Sequence, residues 1–330
     1  MDRPAILVAR AVFPETLARL AQHFDVDASA DDRVLAPAEL AERLRGKAGA
    51  FTTGSERIDA ALLGACPQLR AVANMAVGYN NFDLAACTAH GVLATNTPDV
   101  LTETTADFGF ALMMAAARRM AESERFLRRG EWRRWSYDMF TGSDVHGATL
   151  GLLGMGRIGQ AIARRGALGF GMQVIYHNRS RLPVEREAPL GARYVDKATL
   201  LREADHLVLV LPYTAASHHA IGAAELAAMK PSATLTNVAR GGVVDDAALA
   251  AALRERRIAA AALDVFEGEP QVQAALLDVS NVVLTPHIAS ATVATRRAMA
   301  ELAATNLIAA LGGERPPNLL NPEVLGRAAG

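Results

Sequence analysis

Short apolar runs alternate with longer helix-like segments through the first hundred residues. Ile6–Ala9 and Ala48–Thr52 are nearly continuous apolar stretches of strand length, whereas Glu15–Gln22 and Pro37–Arg45 carry apolar residues at helical spacing. Continuous apolar runs are typical of strands buried on both faces of a parallel sheet, and a spacing of three to four residues is typical of helices. The alternation predicts βα units and therefore a small parallel-sheet domain.

A proline interrupts this pattern, and a second series of units follows it. Pro98 restrains the backbone of Thr97, and the chain from Thr102 to about Arg129 then predicts one long helix. Segment 130–145 is irregular and contains both tryptophans. A strand, a glycine turn and a helix begin at Thr149, and a final helix is predicted from about Ala291 to Leu311. Further strands are predicted at Gln173–Tyr176, His206–Leu211, Thr234–Asn237, Ala260–Asp264 and Val282–Leu284.

Length and composition narrow the class of protein. A chain of 330 residues is long enough for two domains, and 51% hydrophobic residues can form their cores. Lys+Arg 34 against Asp+Glu 35 gives a net charge of −1, which disfavours nucleic acid and anionic membranes as partners. Cys66 and Cys87 are too few for a disulfide framework, and the five-residue apolar run Ala5–Ala9 is too short for a signal peptide. We expect a soluble, cytoplasmic protein.

A glycine motif follows the strand that begins at Thr149. Gly154-x-Gly156-x-x-Gly159 stands directly between an apolar strand and a helical run. In that context the first glycine allows a tight turn, the second lets the backbone approach a pyrophosphate, and the third lets helix and strand pack closely. The motif therefore predicts a dinucleotide-binding site.

The end of the next strand bears on which dinucleotide is bound. NAD-selective sites usually place an acid there, about 20 residues beyond the glycine loop, to accept from the ribose 2′-OH. This chain has Asn178, Arg179 and Ser180 instead. A carboxylate would repel a 2′-phosphate, whereas an amide and a hydroxyl can donate to it and a guanidinium can pair with it. The loop favours NADP(H), with NAD(H) possible, although these residues could also be simple solvated loop residues.

Three later segments complete a recognisable set of motifs. They are Thr236–Asp245, with Asn-Val-Ala-Arg-Gly-Gly at its centre, Ala262–Pro270 and Leu284–Ser290. Together with the glycine loop they closely resemble the D-isomer-specific 2-hydroxyacid dehydrogenases, from about Asn74 to Leu311. Within that family the chain looks most like the glyoxylate/hydroxypyruvate reductases and the 2-ketogluconate reductases. The acid-free Tyr-His-Asn-Arg-Ser loop, the Leu-Thr-Glu-Thr helix start and the closing Asn-Pro-Glu-Val carry this finer likeness.

The resemblance assigns three catalytic residues. It makes Arg240 the group that binds the substrate's carboxylate and carbonyl oxygen, His287 the acid/base, and Glu269 the partner of His287. Reduction of a 2-oxo acid requires these residue types, because hydride transfer builds negative charge on the carbonyl oxygen. A carboxylate beside a histidine favours its protonated form. Each residue alone could be structural, Glu269 most readily as an exposed loop acid.

The resemblance also implies contacts to substrate and cofactor. Val77 and Gly78 are expected to offer backbone N–H groups to the substrate carboxylate, together with Arg240 and His287. Asp264 is expected to hold the nicotinamide carboxamide, although a strand-end cap is the alternative. The full set of expected cofactor contacts is Gly154, Met155, Gly156, Arg157, Ile158, Asn178, Arg179, Ser180, Leu211, Pro212, Val238, Ala239 and Asp264.

No metal site is predicted. His218 and His219 are adjacent in sequence and lack a third ligand at a useful spacing, and the other histidines are scattered.

These observations predict an α/β protein with two Rossmann-like, doubly wound parallel-sheet domains and an active site in the cleft between them. Residues 1–98 with 290–330 would form a discontinuous substrate-binding domain, and residues 99–289 an NAD(P)-binding domain. The aromatic segment 130–145 and the helix before it are the candidate surface of a homodimer.

The expected activity is NADPH-preferring reduction of a small 2-oxo acid, such as glyoxylate, hydroxypyruvate or 2-ketogluconate, to the D-2-hydroxy acid. An NAD-linked dehydrogenase of the same fold, of the 3-phosphoglycerate or D-lactate type, is the first alternative, and the missing acid at position 178 weakens it. A nicotinamide-sensing, corepressor-like binding protein is the second alternative, and the presence of Arg240, Glu269 and His287 weakens it.

Overall fold

A computed structural model describes residues 3–327 of the chain. The chain forms two compact units, one made of the residues up to Leu101 and from Thr292 onward, the other of Thr102–Ala291. The sequence places these crossings near residues 98 and 290. No helix within residues 3–327 combines the length and the hydrophobicity that a membrane span requires.

The first unit is built on five parallel strands. Their order across the sheet is β2-β1-β3-β4-β5, with every neighbouring pair parallel. Asp59 and Asp83 start two of the helices, because each carboxylate accepts a hydrogen bond from the backbone amide three residues later. The elements are β1 (Ala5–Val8), α1 (Pro14–Ala21), β2 (Asp25–Ala28), α2 (Pro37–Leu44), β3 (Gly49–Thr52), α3 (Ala60–Ala65), β4 (Ala71–Asn74), α4 (Leu84–Ala89) and β5 (Leu93–Thr95).

The second unit contains seven parallel strands, in the order β12-β11-β10-β9-β6-β7-β8. The chain winds outward from β6 in one direction through β7 and β8, and in the other through β9 to β12. The gap between the carboxyl ends of β6 and β9 is thus the switch point where such sheets bind ligands. The elements are α5 (Thr102–Ala117), α6 (Met120–Arg128), β6 (Thr149–Leu153), α7 (Arg157–Arg164), β7 (Gln173–His177), α8 (Val184–Glu187), β8 (Arg193–Tyr194), α9 (Lys197–Glu203), β9 (His206–Leu209), α10 (Ala223–Ala228), β10 (Thr234–Asn237), α11 (Asp246–Arg254), β11 (Ala260–Leu263), α12 (Ala274–Leu277) and β12 (Val282–Leu284).

The chain then returns to the first unit through α13 (Val293–Leu311), and a short helix, α14 (Val324–Arg327), follows. Ala300, Ala303 and Leu307 of α13 are fully buried in the same apolar cluster as Ile6 and Val8 of β1. The last long helix therefore covers one face of a sheet whose strands lie almost 300 residues earlier in the chain.

The prediction of two doubly wound parallel-sheet domains is confirmed, and several local predictions are corrected. The single helix expected over 102–129 is two helices, since α5 ends at Ala117 and Arg119, the N-cap of α6, lies in the left-handed region at φ 53°. Strands β9 and β11 end earlier than predicted, at Leu209 and Leu263. Strand β2 was not predicted because its residues, Asp-Val-Asp-Ala at one sheet edge, are half-exposed and do not form an apolar run.

Candidate active site

The glycine loop joins β6 to α7 at the switch point of the second sheet. Gly154 has φ 103°, and a Cβ at this position would lie 2.7 Å from the Val210 carbonyl, so only glycine fits. Gly156 is the N-cap of α7, and the space beside its Cα is open. A helix N-terminus approached over a residue without a side chain fits the pyrophosphate of a dinucleotide.

Asn178 ties the loop after β7 to the glycine loop. Its Oδ1 accepts a hydrogen bond from the Met155 amide at 2.6 Å, which leaves the side-chain NH₂ as a donor. Arg179 and Ser180, the next two residues, are exposed. At the place where an acid would accept from a ribose hydroxyl, this loop presents donors and a guanidinium.

Arg240 lies in a tight turn immediately after β10. Asn237 closes this turn, because its Oδ1 accepts from the Ala239 amide at 3.0 Å and its Nδ2 donates to the Arg240 carbonyl at 3.1 Å. The next residue, Gly241, would place a Cβ only 1.7 Å from the Phe266 carbonyl oxygen. The sequence Asn-Val-Ala-Arg-Gly therefore makes a turn that packs directly against the loop after β11.

Electrostatic interactions link Arg240 to that loop. Burial lowers the pKa of the Arg240 guanidinium, while the negative charge of Glu269 acts in the opposite direction. Partial burial acts to raise the pKa of Glu269, but the hydrogen bond and charge of His287, with smaller effects from the Phe266 amide and Arg240, lower it overall. Glu269 is therefore ionised at neutral pH, and Arg240 is a cation.

Glu269 and His287 form a direct pair. The Nδ1 atom of His287 lies 2.7 Å from Oε1 of Glu269, and the Phe266 amide donates to the other carboxylate oxygen at 3.3 Å. The two side chains are 47% and 36% exposed, respectively. Since the carboxylate binds a proton on Nδ1, the Nε2 atom is left to exchange a proton with a substrate. The structure thus brings the three predicted catalytic residues together at the carboxyl ends of β10, β11 and β12.

Asp264 organises the backbone that carries His287. Its carboxylate accepts from the Ile288 and Ala289 amides, both at 2.8 Å, and from the Thr285 hydroxyl at 2.7 Å. His287 itself has φ 53°, a strained conformation for a residue with a side chain. Asp264 is 1% exposed, so it acts at least as the anchor of this loop. The sequence predicted a contact of Asp264 with the nicotinamide carboxamide, or a strand-end cap, and neither interpretation included these bonds to the Ile288 and Ala289 amides.

The remaining residues expected to contact the cofactor differ in which of their groups could do so. Met155, Val238 and Ala239 have buried side chains within the apolar core, so only their backbones could contact a cofactor. Leu211 and Pro212 follow β9, and Ser217 fixes the Pro212 carbonyl with a hydrogen bond of 2.9 Å. The other two, Arg157 and Ile158, form the first turn of α7.

In the first unit, two buried asparagines hold the loop with Val77 and Gly78. Asn96 donates to the Val77 carbonyl at 2.8 Å, and Asn74 donates to the Gly78 carbonyl at 2.9 Å. Within residues 3–327, the amides of Val77 and Gly78 donate to no other group. The loop is therefore fixed through its carbonyls, while its N–H groups are available to a ligand.

A third side chain lies near the adjacent histidines His218 and His219. Glu267 comes close to His218 and His219, with its Oε2 at 2.9 Å from Nε2 of His219. Sequence spacing could not show this, because the loop after β11 brings Glu267 back from far along the chain. The two rings are stacked, with centroids 3.9 Å apart and planes 25° apart. The absence of a metal stays a prediction.

Comparison with known proteins decides the family. The family described as D-isomer specific 2-hydroxyacid dehydrogenase, NAD binding domain, matches residues 110–289. A glyoxylate reductase of Thermococcus onnurineus is 49% identical over 98% of this chain and 97% of its own length.

The chain belongs to the D-isomer-specific 2-hydroxyacid dehydrogenase family. It is an NAD(P)-dependent oxidoreductase that acts on CH–OH groups. A glyoxylate reductase of Aeropyrum pernix is also 49% identical, over 98% of both chains. Among solved structures, an NADPH-dependent glyoxylate/hydroxypyruvate reductase of Sinorhizobium meliloti, in complex with NADP and malonate, matches with a TM-score of 0.85 and 38% identity over 97% of both chains. The family expected from the motifs is thus confirmed for this dehydrogenase.

Proposed function

We propose that this dehydrogenase reduces glyoxylate and related small 2-oxo acids to 2-hydroxy acids, with NADPH as the preferred reductant. The observation that carries the proposal is the Glu269–His287 hydrogen bond of 2.7 Å beside a cationic Arg240. That set supplies a proton donor and a fixed positive charge, which are the two requirements of carbonyl reduction. The names of the curated relatives support glyoxylate as the first substrate to test.

The chemistry at the carbonyl follows from these three side chains. The reduced nicotinamide supplies a hydride to the 2-oxo carbon when the cofactor is bound. Arg240 stabilises the negative charge that moves onto the carbonyl oxygen as the C=O double bond becomes single. His287 then protonates that oxygen from Nε2, while Glu269 holds Nδ1 and stabilises the imidazolium before the proton leaves. In the reverse direction, His287 takes the hydroxyl proton as a base.

The substrate carboxylate needs its own partners. We assign it to the guanidinium of Arg240 and to the amides of Val77 and Gly78, whose carbonyls are bound by Asn96 and Asn74. Two N–H groups on a fixed loop can bind a carboxylate without the entropic cost of ordering long side chains.

The proposal also includes an active site in a cleft between the two domains, a homodimer and a cytoplasmic location. Static light scattering of the purified protein tests the dimer.

The preference for NADPH rests on the loop after β7. The Oδ1 atom of Asn178 is already bonded to Met155, so the NH₂ group remains to donate toward a ribose phosphate. Arg179 is exposed and can pair with the two negative charges of a 2′-phosphate. NADH has no 2′-phosphate and gains nothing from that pairing.

Steady-state turnover of the purified enzyme with glyoxylate tests both parts of the proposal. We expect kcat/KM with NADPH to exceed that with NADH by about tenfold or more, the effect of a charge-assisted contact near 1.4 kcal/mol. Equal values would contradict the preference. Hydroxypyruvate and 2-ketogluconate, run alongside, rank the substrates, and no oxidation of either cofactor with any of the three would refute the activity.

A further inference from the structure

The loop that follows β7 contains two arginines with different surroundings. We call Asn178–Leu182 the ribose loop. Arg179 is exposed and has no partner among residues 3–327. Arg181 is bound by Glu187, with Nε and Nη2 at 2.9 and 2.7 Å from its two carboxylate oxygens. One guanidinium of the ribose loop is thus available to an anion, and the other is already paired.

Glu187 is unusual for an acid in a short surface helix. It is the last residue of α8 and only 3% exposed, and its Oε1 also accepts from the Tyr176 hydroxyl at 2.5 Å. The Tyr176 hydroxyl in turn accepts from the Leu182 amide at 2.8 Å. A chain of hydrogen bonds therefore runs from the Leu182 backbone through Tyr176 and Glu187 to Arg181.

The carboxylate of Glu187, at the centre of this chain of hydrogen bonds, is charged. The hydrogen bonds of Arg181 and then Tyr176 lower the pKa of Glu187, and burial, followed by the hydrogen bond to Glu187, raises the pKa of Tyr176 to about 12. A carboxylate that is this buried is stable only while its partners are in place. The ribose loop is consequently anchored at two points, one on its backbone and one on a side chain.

We propose that Glu187 is a positioning residue for cofactor choice: it keeps Arg181 away from the phosphate site and fixes the ribose loop, so that Arg179 meets the 2′-phosphate. Glu187 bonds to Arg181 and Tyr176, and it acts through the backbone that Arg179 shares with Arg181. The inference rests on the NADPH preference proposed above.

Glu187→Gln tests this role, because it keeps the size of the side chain and removes its charge. The glutamine NH₂ would face the Arg181 donors, so the fork is lost. We expect the KM for NADPH to rise about tenfold, the value of one charge-assisted hydrogen bond, while kcat and the KM for NADH stay within about twofold. Glu203→Gln is the matched control, since it removes the exposed ion pair with Arg193 of β8 and should change none of these constants.

A double-mutant cycle separates positioning from general destabilisation. If Glu187 acts through Arg179, the variant with both Glu187→Gln and Arg179→Ala should have the same KM for NADPH as Arg179→Ala alone. Additive losses would overturn the proposal, as would an equal rise in the KM for NADH or no change at all in the single variant. If Glu187→Gln does not fold, Tyr176→Phe takes its place, with a smaller rise in the KM for NADPH expected by the same route.

Hydrogen exchange at the Leu182 amide distinguishes a failure of the role proposed for Glu187 from a failure of the proposed NADPH preference. The Leu182 amide should exchange faster in Glu187→Gln than in the wild type. A wild type without NADPH preference refutes both proposals, whereas a preference that survives the variant despite a loosened Leu182 amide refutes the role of Glu187 alone.

Discussion

At the scale of single residues, the site depends on side chains that each have a separable task. Arg240 carries a positive charge, His287 is the residue proposed to move the proton, and Asp264 accepts hydrogen bonds from the backbone amides of Ile288 and Ala289. The first two were predictable because their residue types and motifs are distinctive. Two other sets of hydrogen bonds could not be predicted, those of Asp264 to the Ile288 and Ala289 amides and that of Asn178 to the Met155 amide. A hydrogen bond between segments over 20 residues apart leaves no local pattern in the sequence.

Arg240→Ala should abolish turnover and leave the cofactor site intact. Removing one preorganised charge-stabilising group costs about 10² to 10³ in kcat, and Arg240 is assigned to both the carboxylate and the carbonyl oxygen. Glyoxylate turnover and NADPH fluorescence titration measure the two effects separately. Arg179→Ala is the converse control, with weaker NADPH binding and unchanged kcat expected; unchanged activity in Arg240→Ala would exclude Arg240 from the mechanism.

Asp264→Asn separates anchoring from cofactor contact. An asparagine must turn an NH₂ toward one of the three donors that the carboxylate now accepts from, so we expect a loss of about 1 to 3 kcal/mol in the free energy of unfolding. Denaturant unfolding without cofactor measures it. If stability is unchanged and only NADPH binding weakens, Asp264 serves the cofactor and not the His287 loop.

At the scale of elements, helix caps and side-chain hydrogen bonds fix where each element begins and ends. The apolar runs predicted most strands of both sheets, but the helix break at Arg119 followed no proline or glycine and therefore had no sequence signal. Strand β9 begins with a buried polar residue, His206, whose Nε2 donates to the Asp144 carbonyl at 2.9 Å and whose Nδ1 lies 2.9 Å from the Thr234 hydroxyl.

His206 should make stability depend on pH. Burial lowers its pKa, and this outweighs the opposite effects of the Asp144 carbonyl and the Asp205 charge. The folded state therefore binds this proton more weakly than the unfolded chain does, so its contribution is complete above the unfolded value of about 6.5 and is lost as the pH falls below it. Thermal unfolding between pH 8 and 5 should show a steeper loss for the wild type than for His206→Gln; parallel curves would contradict this assignment.

At the scale of the whole molecule, the two units differ in how the chain completes them. Thr102–Ala291 is continuous, whereas the first unit needs α13 to cover its sheet. The glycine loop, Arg240, Glu269 and His287 all belong to the continuous unit, while Val77 and Gly78 belong to the other.

The segment 102–291, expressed alone, should fold and bind NADPH without reducing glyoxylate. Its size is ordinary for an independent domain, and it holds the residues assigned to the cofactor but not the Val77–Gly78 amides. Circular dichroism, NADPH fluorescence and turnover test the three parts. A chain truncated after Ala291 is the comparison and should aggregate, because the apolar face around Ile6 and Val8 loses its cover; full activity of either fragment would contradict this division of tasks.

The return of α13 to the first sheet also orders events during synthesis. Translation proceeds from the N-terminus at about 5 to 20 residues per second, so the roughly 190 residues of the inserted unit take about 10 to 40 s to emerge. Throughout that interval the strands β1 to β5 have left the ribosome without the helix that covers them. The inserted unit can therefore mature first, and the earliest-made sheet of this enzyme is the last to be covered.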